Sequence, residues 1–173
     1  MSSLDIHPID MEVALQLRMH LSEPPRSREA AMSVGDIAAE SVHLGAFLGE
    51  QLVGVGSAGP EAVPVLSRPD AWRLRGLIVL PTHQRRGIGR DLVRALLAQV
   101  DRQFSALVWC YAKPKLISYY GGCDMRPTGY TYQHPVGGHT LLFGNDHTRE
   151  WLQKMTGASY ARSELPVLGA VEP

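Results

Sequence analysis

Between His83 and Leu92 the chain reads HQRRGIGRDL, three arginines and two glycines directly after the apolar run Leu77-Ile78-Val79-Leu80. A strand that enters a helix through such a turn gathers free donors and positive charge at one point. The first amides of a helix have no intrahelical partner and sit at the positive end of its dipole. Gly87 and Gly89 remove the β-carbons that would keep a ligand from those amides, so the turn suits a pyrophosphate. Arg90 and Arg94 stand at i,i+4, a like-charge spacing that costs roughly a few tenths of a kcal/mol unless an anion or an acid such as Asp91 offsets it. A merely solvated basic turn would use the same residues, so the glycines need support from elsewhere.

Two nucleotide motifs do not fit. A phosphate loop requires Lys-Ser/Thr after its glycines, and Arg90-Asp91 occupies that place. A dinucleotide fingerprint requires a third glycine and a strand running almost straight into the first; here Leu92 takes the third place and Pro81 to Arg86 intervene.

The elements around the turn form a mixed α/β pattern. Asp10 caps an expected helix over Met11–Leu21 with Val13, Leu17 and Leu21 on one stripe. A second helix is expected from Arg28 to Glu40. VHLGAFLGEQLVGVGSAG reads as a hairpin turning at Gly49-Glu50-Gln51. WRLRGLIVL is a strand whose start alternates as if half exposed and whose end is apolar on both faces. After the turn, Leu92, Val93, Leu96, Leu97 and Val100 mark one helix face. SALVWCY is a further strand, Pro114 opens a short helix through Tyr120, and two strands meet around Gly137-Gly138. A last helix is expected between Asp146 and Gly157. This gives one domain over residues 1–145, followed by a C-terminal helix and loosely held tail over 146–173.

The totals bound the function. With 173 residues, seventeen basic and seventeen acidic, no global field draws the chain to nucleic acid or to a membrane, and any anion site is local. No apolar run reaches the roughly 18 residues that span a bilayer, and the N-terminus lacks a signal pattern. Cys110 and Cys123 read as reduced thiols of a cytoplasmic protein, Cys110 as a small core residue. The seven histidines show no metal spacing, so no metal is expected.

LRGLIVLPTHQRRGIGRDLVRALL resembles the acetyl-CoA-binding segment of the GNAT N-acetyltransferase superfamily: a strand ending in Val, a Pro-containing loop, then Q/R-x-x-G-x-G/A and a helix. WCYAKPKLISYYGGCDMRPTG is similar to the family's later strand and helix, with Tyr120 on the family tyrosine. The resemblance covers about Leu4 to Gly144. It implies a single-domain GNAT fold, a mixed sheet of six to seven strands with four to five helices, splayed between two central strands.

The resemblance also implies the site. Pantetheine would lie along Leu77, Ile78 and Val79, and the pyrophosphate on Gln84, Arg85, Arg86, Gly87, Ile88, Gly89 and Arg90. Lys113 replaces a CoA-contacting asparagine. The activity implied is transfer of an acetyl group from acetyl-CoA to a small-molecule or peptide amine by direct attack, with a homodimer allowed. The alternative is a CoA-holding sensor or scaffold. Tyr120 would be the general acid, since its ordinary pKa of about 10 lies above a thiol's, about 8.5. Consecutive helical residues point about 100° apart, so Tyr119 should differ from it. Arg75 stands where relatives carry a basic glutamate, with Arg73 on the same face as Leu77 and Val79 by strand alternation. Both would bind an anionic acceptor group, or else pair with Glu40, Glu50 or Glu61. Glu61, Asp70 or His83 could relay protons through water, or each is an ordinary surface residue.

Overall fold

A computed structural model of the chain describes residues 3–21, 24–63, 70–104, 106–133, 139–156 and 167–168. Its strands are β1 (Leu4–Pro8), β2 (Val42–Leu48), β3 (Gln51–Pro60), β4 (Ala71–Val79), β5 (Leu107–Ala112), β6 (Arg126–Gln133), β7 (His139–Gly144) and β8 (Val167–Leu168). The helices are α1 (Met11–Leu21), α2 (Arg28–Ala31), α3 (Ile88–Phe104), α4 (Ile117–Gly121) and α5 (Asp146–Thr156). One mixed sheet runs β1-β2-β3-β4-β5-β7-β6-β8. The two-residue β8, parallel to β6, is the addition to the expected six or seven strands. The connection between β6 and β7, where Gly137-Gly138 were placed, lies outside the described residues.

β4 and β5 run parallel but pair only at Ala71↔Leu107, Trp72↔Val108 and Arg73↔Trp109. Beyond that they part, which is the expected splay. The main core fills the α3 side of the sheet: Leu92, Val93 and Leu96 are fully buried against Val53, Leu74 and Val108. Full burial of each such side chain stabilises the fold by roughly 1.5–3 kcal/mol. A second cluster, with Trp109, Tyr130 and Val63, covers the opposite face. α5 docks on its own sheet, where the Thr148 hydroxyl donates to the Val108 carbonyl at 2.8 Å and Trp151 packs on the second cluster.

Three expectations need correction. α1 buries Ala14, Leu15 and Arg18, while Val13 is exposed; Arg18 turns inward to meet Asp36 and Ser57, and this sets the rotation of the helix. The second helix stops at Ala31 because Met32 is extended and Ser33 opens a 3-10 turn over Val34–Ile37. The Asp36 carboxylate accepts from the Ser33 amide at 2.8 Å, a capping bond that a continuous helix would forbid. β4 is most buried at its start, where Arg75 also points inward, and half-buried at its end. The end loses cover because β5 has left its side.

Candidate active site

The site begins with one extra residue in β4. Val55 pairs with Ile78 but Ser57 pairs with Arg75, so Gly76 forms a bulge at φ 60°. A β-carbon at Gly76 would fall on the Arg18 guanidinium, so glycine is required on two counts. The bulge reverses the alternation that was expected to put Arg73, Arg75, Leu77 and Val79 on one face. Leu77 and Leu96 of α3 both reach the space beside Gly56, whereas Arg75 lies beside Gly35 and Gly59 on the other face.

Beyond the bulge, the parted strands open a cleft of about 760 Å³. Leu77, Ile78 and Val79 form one wall, Leu116, Ser118 and Tyr119 another, and His83, Gln84, Arg85, Gly87, Ile88, Gly89 and Arg90 close the end. The Gln84 side-chain amide donates to the Val79 carbonyl at 3.0 Å, pinning the loop to the strand. Arg85 and Gly87 take φ 63° and 86°, so the loop turns through the left-handed region twice before the helix. The first helical bond runs from the Asp91 amide to the Gly87 carbonyl at 3.0 Å, so the amides of Ile88, Gly89 and Arg90 are not used by the helix.

A smaller cavity of about 240 Å³ shares Leu77 with this cleft and sits at the fork of β4 and β5. Arg73, Arg75, Tyr111 and Tyr120 line it. Tyr120 is 8% exposed, and its phenol lies beside the Cys110 thiol. Burial, more than this contact, raises the phenol above its ordinary range, and burial pushes Cys110 up to about 12. Tyr111 is likewise pushed up to about 12, chiefly by burial. Tyr120 is therefore protonated at neutral pH, and Cys110 is a core thiol with little nucleophilic character.

Behind the cavity, Glu61 accepts from Arg73 Nη1 and Arg75 Nη1, both at 2.8 Å. Arg75 Nε also donates to Asp36 at 3.2 Å, and Asp36 accepts from Arg18 at 3.0 Å. Of the expected partners of these arginines, Glu61 is the one that meets them. Among the described residues that line the two cavities, none is a carboxylate.

The cleft thus assembles Leu77, Ile78, Val79, Gln84, Arg85, Gly87, Ile88, Gly89 and Arg90, with Tyr120 at its inner end. Arg86 and Lys113 are exposed and line neither cavity. Tyr119, expected only as a contrast to Tyr120, lies over the glycine turn. Tyr111 was also missed as a wall of the inner cavity, although period-2 alternation from Trp109 places it on that face. Asp36 gave a weaker signal, as an acid three residues after Ser33.

Comparison with known proteins gives the family and the fold. The model of the Acetyltransferase (GNAT) family matches residues 11–120. The Bacillus subtilis (strain 168) protein named "Uncharacterized N-acetyltransferase YitI" is 26% identical over 141 residues, 81% of this chain and 95% of that protein. Among solved structures, Escherichia coli ElaA superposes with a TM-score of 0.64 at 14% identity, over 84% of this chain and all of that one. The Escherichia coli ribosomal-protein-S18-alanine N-acetyltransferase gives 0.60 at 17%, covering 83% and 93%. Arabidopsis thaliana NAA60 with a bisubstrate analogue gives 0.61 at 16%, covering 83% and 98%. The chain belongs to the GNAT acetyltransferase family and is an acyltransferase. Among the described residues no helix is long and apolar enough to cross a membrane.

Proposed function

We propose that the chain transfers an acetyl group from acetyl-CoA to an amine by direct attack. The observation that carries this is the splay of β4 from β5 past Arg73↔Trp109, which leads from an anion-ready helix start to a buried phenol. The residues fit the donor: the cleft walls are apolar at Leu77, Val79 and Leu116, and a β-carbon at Gly89 would collide with Tyr119 of the opposite wall. When bound, acetyl-CoA supplies an activated acyl carbon and a sulfur leaving group. The amides of Gly87 to Arg90 hold the pyrophosphate. An N–H of β4 at Ile78 or Val79, on the side turned from β3, stabilises negative charge on the acyl oxygen. Tyr120 holds a proton at its hydroxyl for the departing sulfur, and burial keeps that proton in place.

No carboxylate is available in the lining to remove a proton from the acceptor. His83 lines the outer cleft, and an acceptor amine that is neutral at working pH needs no base at all. The direct test is thiol release from acetyl-CoA over a panel of amines, with calorimetric titration of CoA beside it. Amine-dependent release supports the reading. CoA binding with no release from any amine makes the chain a sensor or scaffold instead.

A further inference from the structure

We propose that the inner cavity selects acceptors that carry a carboxylate beside the amine, held by the guanidinium of Arg73. This deepens the acetyl-transfer reading and rests on it. Arg18, Asp36, Arg75, Glu61 and Arg73 form one line of alternating charge, with contacts of 3.0, 3.2, 2.8 and 2.8 Å. Its two ends are unlike: the Arg18 side chain is 7% exposed and that of Arg73 is 35% exposed. Asp36 at 0% and Arg75 at 5% are sealed, and the line opens to solvent at Glu61, 33% exposed. Of the three guanidinium groups, that of Arg73 is therefore the one open to solvent, on the wall of the inner cavity.

Arg73 is also arranged as a receptor. Its guanidinium carbon sits 5.2 Å from the Trp109 ring centre and 6.0 Å from that of Tyr111, so two aromatic rings hold it in place. One of its five N–H donors is engaged by Glu61, and Nε and Nη2 make no hydrogen bond among the described residues. A carboxylate can take two such donors at once. Arg75 cannot play this part. Its Nη2 fills the slot left by the missing β-carbons of Gly35 and Gly59, and its other donors serve Asp36 and Glu61. A polyamine would meet a cation and find no carboxylate in the lining. The acceptor class that fits is an amino acid or another amine with an adjacent carboxylate.

The test compares N-acetyl amino acids with their C-terminal amides, a pair that differs only in the charge at issue. Their affinities for the CoA-loaded protein would be read by ligand-observed NMR titration. The carboxylates should bind on the order of tenfold tighter. Arg73→Gln should bring the ratio to about one, and Arg73→Lys should keep part of it, with CoA affinity unchanged in both variants. Equal affinities, no binding of any probe, or a ratio that survives Arg73→Gln overturns the proposal. A kinetic arm separates the two readings. Thiol release that is at least as fast with spermidine as with every amino acid sinks the carboxylate site alone. Arg73-dependent binding without thiol release from any amine sinks acetyl transfer alone.

Discussion

The hydroxyl of Tyr119 lies 2.7 Å from the point where a β-carbon on Gly89 would stand. The backbone at Gly89 is ordinary helix, so what glycine provides there is room for the tip of this tyrosine. Gly89→Ala would displace Tyr119 from the cleft wall and should weaken CoA binding on the order of tenfold. Adding Tyr119→Phe removes the colliding atom and should recover part of the loss, a non-additivity that a double-mutant cycle in calorimetry would measure. Strict additivity would show that the hydroxyl is not the obstacle.

The two adjacent tyrosines line different cavities and should fail differently. Tyr120→Phe is expected to lower kcat by about 100-fold or more with acetyl-CoA KM nearly constant, because a proton given to sulfur counts only in the transition state. Tyr119→Phe should act mainly on KM for acetyl-CoA. Steady-state thiol release for both variants checks this.

Alkaline pH should destabilise the fold. Tyr111, Tyr119, Tyr120 and Cys110 all have pKa values raised by burial, Tyr111 and Cys110 to about 12. Unfolded, these groups ionise at about 8.5 to 10, so above that range the unfolded state binds fewer protons and stability falls as pH rises. The stability is fully present below about pH 8 and should decline steadily from about pH 9 towards 12. Urea midpoints at pH 7.5 and 10.5 measure it; equal midpoints would mean that these groups titrate in the folded state as they do in water.

Asp36→Asn should cost about 3–5 kcal/mol, the usual cost of leaving a buried charge without its partner. Here Arg18 and Arg75 would both lose their sealed counter-ion. Denaturant unfolding of wild type and variant gives the difference directly.

The parts of this site that follow from spacing were legible in the sequence. Gln84, Gly87 and Gly89 fix a loop by local backbone demands, and the apolar period after them fixes α3. Asp124 takes the left-handed φ of 60°, a conformation that Asp tolerates better than most residues. What was misread depends on distant partners. Nothing near Gly76 distinguishes a bulge from a strand glycine, because its cause is Arg18, 58 positions earlier by residue number (76 − 18). The same hidden arginine turned the apolar stripe of α1 away from the core. A charge in a helix reads as solvent-facing until its counter-ion is located, and Asp36 reads as helix until two arginines claim it.

The three-pair union of β4 with β5 makes the sheet two half-sheets clasped at one end. Strands β1–β4 carry α3, while β5–β8 carry α5. Past the clasp, the facing backbones of β4 and β5 are sheet edges inside a sheet, with polar groups that no neighbouring strand satisfies. An extended ligand lying there does more than occupy a site: it laces the open length of the seam. The load between the halves would then pass through the ligand as well as through Arg73 and Trp109. Amide exchange along Gly76 to Val79 should slow when the cleft is filled, and a ligand too short to reach the inner cavity would leave the clasp end as it was.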